Sequence, residues 1–70
     1  MEDNDVVAER QSDGRYRIRR WRKADQTLHP IPGHEELYDE SEMSRRLEIL
    51  RTSGDTYVRD TSHSMRLVQP

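Results

Sequence analysis

The clearest pattern of apolar and polar positions lies in residues 39–54 and predicts one helix at about 39–53. Its apolar residues recur at helical spacing and form one narrow stripe: Met43, Leu47 and Leu50. Asp39 is placed to cap the first turn, and Glu42 to complete a capping box with it. Gly54 follows the last turn, where we expect a glycine at positive φ to end the helix.

Short runs rich in β-branched and aromatic residues predict strands on both sides of this helix. Residues 6–8 begin one strand, and residues 15–23 (RYRIRRWRK) return beside it after the Asp13-Gly14 turn. Asp-Gly between two such runs is a strong hairpin signal. Residues 56–59 and 65–68 predict two more strands, joined by a turn.

Trp21 breaks the alternation of the basic strand. Strict alternation places Tyr16 and Ile18 on one face and leaves Trp21 on the other, with Arg17 and Arg19. A β-bulge in the two residues before Trp21 would return it to the face of Tyr16. The sequence leaves both arrangements open, and only one of them displays the indole among basic residues.

The segment between the basic strand and the helix contains Pro30, Pro32 and Gly33, which exclude a helix and a central strand. Residues 24–33 therefore form a loop with, at most, a short edge strand. We expect an α+β fold, a small and mostly antiparallel sheet in the order β-β-loop-α-β-β, with one helix packed on one face. Residues 1–70 make a single small domain, and residues 1–5 are expected to be disordered.

Composition limits the class of protein. Only 30% of the 70 residues are hydrophobic and 37% are charged, which predicts a thin core or a core completed by a partner. The chain has no cysteine, and this excludes disulfide frameworks and thiolate metal sites. It has no long apolar run and an acidic N-terminus, so we expect a cytoplasmic protein without a membrane segment. Arginine in place of lysine suits a bacterial or phage accessory protein.

The basic strand is the strongest candidate for a binding surface. Six of the nine residues in 15–23 are basic, with two aromatic rings between them. Arginine and tryptophan dominate interface hot spots, so the candidate protein-binding residues of this strand are Arg17, Arg19, Arg20 and Trp21. The alternative is a nucleic-acid surface made of Arg15, Tyr16, Arg17, Arg19, Trp21, Arg22 and Lys23. The isoelectric point of about 5.9 weighs against nucleic acid, and a solvated edge strand is the plainer interpretation.

An acidic cluster balances this strand. Five carboxylates occur within eight residues: Glu35, Glu36, Asp39, Glu40 and Glu42. Acids at a helix N-terminus favour the helix dipole, which accounts for part of the cluster. We take Glu35, Glu36 and Glu40 as a second contact for a partner. The two patches either neutralise each other or make the molecule strongly dipolar.

The run DGRYRIRRWRK, followed by a charged helix, resembles the small sheet-plus-helix modules with which phage integrases grip DNA. The resemblance implies DNA contact through the basic strand. It covers about the first third of the chain. The second basic strand of such modules is replaced here by HPIPG, so the resemblance does not assign a family.

We expect no catalysis, no cofactor and no metal. The spacing of His29, His34 and His63 fits no zinc pattern. Ser62 and His63 are adjacent and no orienting acid is evident, so turn composition explains them. A domain of this size and composition forms a dry catalytic site with difficulty.

The sequence therefore predicts a small, non-enzymatic accessory or inhibitory module. Its expected partner is another protein, with a second copy of the chain among the candidates. Binding of nucleic acid through residues 15–23 is the alternative. Salt separates the two, because phosphate contacts lose affinity steeply with ionic strength.

Overall fold

The computed structural model describes residues 1–59 and 65–68. Its elements are β1 (Val6–Arg10), β2 (Tyr16–Arg22), β3 (Thr27–Pro30), β4 (Leu37–Tyr38), α1 (Glu40–Leu50), β5 (Thr56–Arg59) and β6 (Met65–Leu67). A single 3-10 turn, Arg51–Ser53, continues α1. The turn expected between the last two strands, with His63 in it, lies outside the described residues.

The sheet is mixed, and its five longer strands lie in the order β3-β2-β1-β5-β6. β1 and β5 are parallel, with α1 in the connection between them, and the other pairs are antiparallel. The α+β fold with one helix on a mostly antiparallel sheet is therefore confirmed. In the segment before the helix, where we expect a loop, the structure has two short strands, β3 and β4. Both of them pair with β2 along its outer edge.

The predicted hairpin between β1 and β2 is present. The backbone N–H of Gly14 donates to the carbonyl of Gln11 at 3.0 Å, and the N–H of Gln11 donates to the carbonyl of Arg15 at 2.7 Å. Gly14 has a φ of 88°, a left-handed conformation that glycine adopts without a steric penalty. The Asp-Gly signal therefore located this turn correctly.

Helix α1 begins with the predicted cap. Asp39 accepts a hydrogen bond from the backbone N–H of Glu42 at 2.8 Å. The Glu42 carboxylate does not return to close a capping box; it pairs with Arg45 and with Arg46, whose Nε lies 2.9 Å away. The first turn is therefore stabilised by one cap and by ion pairs along the helix.

The core lies between α1 and one face of the sheet. The helix contributes the predicted stripe of Met43, Leu47 and Leu50. The sheet and its connections contribute Val6, Ala8, Tyr16, Ile18, Ile31, Tyr38 and Val58. Leu67 of β6 lies outside this core and is 42% exposed, because it pairs with Tyr57 on the opposite face. Val68 packs against the core instead.

Gly54 is required for a different reason from the one the sequence indicates. Its φ of 167° is extended, so positive φ is not the requirement. A Cβ at this position would lie 2.7 Å from the carbonyl oxygen of Asn4. The chain leaving the helix passes so close to the start of β1 that only glycine fits.

Residues 1–5, for which disorder is expected, lie against the end of β2. The N–H of Asn4 donates to the carbonyl of Trp21 at 3.0 Å. Asp5 is 3% exposed, and its carboxylate accepts from the N–H of Glu2 at 2.9 Å and from that of Asp55 at 3.2 Å. Asp5 therefore ties the N-terminal turn to the approach to β5.

Candidate functional site: the open face of the sheet

The face of the sheet that points away from α1 is the candidate site, and we call it the open face. Alternation along each strand and the register between strands define its members. The members whose side chains are described are Val7, Glu9, Arg17, Arg19, Trp21, Leu28, Pro30, Leu37, Tyr57, Arg59 and Leu67. All of these side chains except that of Val7 are at least partly accessible to solvent.

Trp21 lies on the open face. Register between β1 and β2 is continuous from Tyr16 to Arg20, and that between β2 and β3 from Arg19 to Arg22, so there is no bulge. The N–H of Trp21 donates to the carbonyl of Asp5 at 2.7 Å. Of the two arrangements that the sequence left open, the structure therefore has the one in which the half-buried indole stands on the same face as Arg17 and Arg19.

Charge on the open face is arranged around one acid. Glu9 accepts from Arg19 Nη2 through one oxygen and from Arg59 Nη1 at 3.3 Å through the other. Arg17 is exposed and has no ion pair with any described residue. The open face therefore carries an excess of positive charge, but two of its three guanidinium groups are shared with a carboxylate.

Apolar groups lie beside these charges. Val7, at the centre of the face, is 1% exposed, and Leu67 is 42% exposed. Burial, and then the nearby Asp5, Asp55 and Glu2 carboxylates, raise the pKa of Tyr57, so its phenol is neutral at physiological pH. The face thus presents two aromatic rings, exposed leucine and a paired arginine cluster.

The structure divides the residues of the basic strand between two faces. Arg17, Arg19 and Trp21 share the open face, whereas Arg20 and Arg22 point to the helix side. Tyr16 is 8% exposed within the core, so it is placed for packing and not for stacking on a base. Arg15 pairs with Asp13 at 2.8 Å in the hairpin turn, and Lys23 follows the end of β2.

The acidic candidates are not paired with the basic strand. Glu35 and Glu36 are exposed and precede β4 at the edge of the sheet, and Glu40 is exposed in the first turn of α1. In residues 1–59 and 65–68, none of the three makes an ion pair with the candidate arginines. Hydrogen bonds from Arg45 first, and then from Arg46, lower the pKa of the Glu42 carboxyl.

Sequence reasoning missed part of this site. Glu9, Tyr57, Arg59 and Leu67 come from β1, β5 and β6, which reach the open face only through the parallel β1–β5 pair. Alternation in residues 56–59 does place Tyr57 and Arg59 on one face. What the sequence lacks is a local signal for the pairing of strands about fifty residues apart.

The two described histidines are engaged by neighbouring side chains. Nε2 of His29 lies 2.9 Å from an Asp25 carboxylate oxygen and 2.8 Å from Thr27 Oγ1. Nδ1 of His34 lies 3.0 Å from Arg46 Nη1. No group of three or more potential ligands in the described part of the chain is placed to hold a metal ion.

Comparisons with protein-family models, with curated proteins and with solved structures found no match to the chain. No helix in residues 1–59 or 65–68 is both long and apolar enough to cross a membrane.

Proposed function

We propose that the protein is a small, non-enzymatic accessory or inhibitory module that binds another protein through the open face. The observation that carries the proposal is the unequal covering of the sheet. Helix α1 covers one face, while the other presents Trp21, Tyr57 and Leu67 with no second helix packed on it among the described residues. A sheet with apolar side chains on both faces needs a second layer, and a partner protein supplies one.

The residue types support a protein partner. Aromatic residues and arginine are enriched in interface cores, where they supply most of the binding energy. Arg19 and Arg59 share the Glu9 carboxylate, so this trio keeps one net positive charge that a carboxylate of the partner can balance. Glu9 also reduces the positive charge that nucleic acid would require.

The chemistry of the partner follows from the remaining charge. The open face has three arginines and one glutamate among its exposed or half-buried side chains, and Arg17 is unpaired within the described residues. Electrostatic complementarity therefore favours an acidic surface with an apolar centre. A carboxylate opposite Arg17 would complete the pairing.

Charge reversal on the two faces of β2 tests the proposal. The wild-type chain is used to isolate a direct partner, and the dissociation constant is measured for Arg17→Glu and Arg22→Glu. Both residues are exposed arginines of the same strand, and they point to opposite faces. Because a repulsive charge on the open face opposes an acidic partner, we expect Arg17→Glu to weaken binding at least about tenfold and Arg22→Glu to change it less than about twofold.

Trp21→Ala provides a second variant whose effect does not depend on charge. We expect it to weaken binding by about 2 kcal/mol, as for an aromatic hot spot. Amide-resolved NMR checks that each variant is folded. Equal affinity of the wild type, Arg17→Glu and Trp21→Ala for every isolated partner would refute the proposal.

Nucleic-acid binding is the second candidate, because Trp21, Tyr57 and Arg17 lie on one accessible face. Exposed aromatic rings beside arginine form stacking platforms for single strands. A titration with a single-stranded oligonucleotide at two salt concentrations tests it. A steep log-linear loss of affinity with salt, together with weaker binding by Trp21→Ala at both salt concentrations, would favour this candidate over a protein partner.

A further inference from the structure

We propose that a cleft on the helix side of the sheet, formed where β2, β3 and the N-terminal turn meet, binds a phosphate group. We call it the β2–β3 cleft. Its lining also includes Trp21 of the open face, but the proposal does not depend on the proposed function. The residues that define it are Arg20, Arg22, His29 and Ile31.

The β2–β3 cleft has a volume of about 470 Å³, within the range of small-molecule sites. Ile31, which is 5% exposed, lies between Pro30 and Pro32 along its lining. Proline fixes the backbone at both flanking positions, so this part of the wall is rigid before any ligand arrives.

Two guanidinium groups supply the charge. Arg20 and Arg22 are two positions apart on β2 and therefore point to the same face. Nη1 of Arg20 donates to the carbonyl of Asn4 at 3.2 Å and to Ser53 Oγ at 3.1 Å. Both acceptors are neutral, so Arg20 is held in position while its charge is not compensated.

Arg22 has no ion pair with a described residue, and it is exposed at the mouth of the cleft. Asp3 is the opposing charge among the lining residues. One of its oxygens already accepts from the backbone N–H of Lys23 at 2.9 Å. Among the lining residues two guanidinium groups face the Asp3 carboxylate, and the Asp25 carboxylate lies 2.9 Å from Nε2 of His29.

The ligand chemistry follows from these groups. Arginine binds tetrahedral oxyanions through paired N–H donors, and two arginines on one face can clamp a single phosphate. The volume of the cleft exceeds that of a phosphate group and its lining includes Trp21, Pro30 and Pro32, so a phosphomonoester with a small apolar group fits it better than free phosphate does.

An NMR titration of the full chain tests the proposal at constant ionic strength, with phenyl phosphate and inorganic phosphate as probes and phenol as the uncharged control. We expect saturable amide shifts at residues 20–23 and 29–33, with a dissociation constant for phenyl phosphate of about 1 mM. Tighter binding of phenyl phosphate than of inorganic phosphate would assign a phosphomonoester. Equal affinities would assign free phosphate.

The variants locate the site. Arg22→Gln should weaken phenyl phosphate binding by about tenfold, whereas Arg17→Gln, which removes the same charge from the opposite face, should change it by less than about twofold. Arg22 is exposed, so the test remains informative if Arg20→Gln does not fold. Shifts that do not saturate, equal losses in Arg17→Gln and Arg22→Gln, or phenol binding as well as phenyl phosphate would each overturn the proposal.

Discussion

Nη1 of Arg46 lies 3.0 Å from Nδ1 of His34, and the Arg46 guanidinium stacks on the ring of Tyr38 at 4.1 Å from its centroid. The same Nη1 donates to the carbonyl of Gly33 at 2.9 Å. Arg46 thereby fastens the segment before β4 onto the helix. Because an arginine only donates hydrogen bonds, His34 must accept at Nδ1 and be neutral in this arrangement.

Because of His34, we expect the free energy of unfolding to decrease as the pH is lowered. Burial first, and then the charges of Arg46 and Arg20, lower the pKa of His34 from its usual value of 6.5. The contribution to the free energy of unfolding is therefore complete above pH 6.5 and is lost as the pH falls through the lower pKa of the folded protein. Urea unfolding at about pH 7.5 and about pH 5.5 measures it. His34→Gln keeps an acceptor and should lose most of this dependence; an unchanged dependence would contradict the role of His34.

Arg46 and Arg45 form a matched pair of variants, because both bind Glu42. Arg46→Gln also removes the contacts with His34, Gly33 and Tyr38, so we expect a loss of about 1–2 kcal/mol in the free energy of unfolding. Arg45→Gln removes only an exposed ion pair that solvent screens, and should cost clearly less. Denaturant unfolding measures the loss for both variants. Similar losses would show that the contacts of Arg46 with His34, Gly33 and Tyr38 contribute little.

Asp5→Asn should destabilise the protein. The Asp5 carboxylate accepts two backbone hydrogen bonds through different oxygens, and an amide provides only one acceptor oxygen. We expect a loss of about 1–3 kcal/mol in thermal or denaturant unfolding. Asp3→Asn is the control, because Asp3 accepts a single bond at an exposed position. If Asp5→Asn lowers the free energy of unfolding no more than Asp3→Asn does, the two hydrogen bonds to Asp5 do not hold the N-terminal turn against the approach to β5.

Gly54→Ala should cost about 1–3 kcal/mol, since the added methyl group overlaps the carbonyl oxygen of Asn4. Amide shifts should extend to Asn4 and Asp5 across the contact. At Gly33 no atom lies within 4 Å of the added methyl group, so alanine is strained only by the φ of 86° and its amide shifts should stay local. If Gly54→Ala is as stable as the wild type, the backbone at residue 54 lies farther from the carbonyl oxygen of Asn4 than the structure shows.

Glu9→Gln should make the open face bind polyanions. The substitution removes the carboxylate that Arg19 and Arg59 share, and the net charge of the open face becomes more positive by one. We expect later elution from heparin at low salt, with the gain lost at moderate salt. Glu48→Gln changes the net charge equally on the exposed side of α1. If both variants elute together, net charge and not the open face governs the retention.

The parts of the fold that follow local rules could be predicted from the sequence. Asp39 caps the helix, Met43, Leu47 and Leu50 form its buried stripe, and Asp13-Gly14 turns the hairpin, because each signal lies within a few residues. The side of the sheet on which Trp21 lies could not be predicted, since a single bulge would reverse it.

Contacts between segments that lie far apart in the sequence could not be predicted from it. Gly54 looked like a helix terminator, and only the position of Asn4 explains it. The register of β6 against β5 decides that Val68, and not Leu67, packs against the core. The candidate site was found at Arg17, Arg19 and Trp21, but its other half depends on the pairing of β1 with β5.

The central position of β1 has a consequence for synthesis of the chain. β1 precedes the other strands in the chain, yet its parallel partner begins only at Thr56, so one edge of the strand stays unpaired until residues 56–59 have been translated. Val6, Val7 and Ala8 on an unpaired edge would invite association between nascent chains. The acidic residues immediately before them, Glu2, Asp3 and Asp5, place negative charge beside that edge, and charge in this position opposes such association.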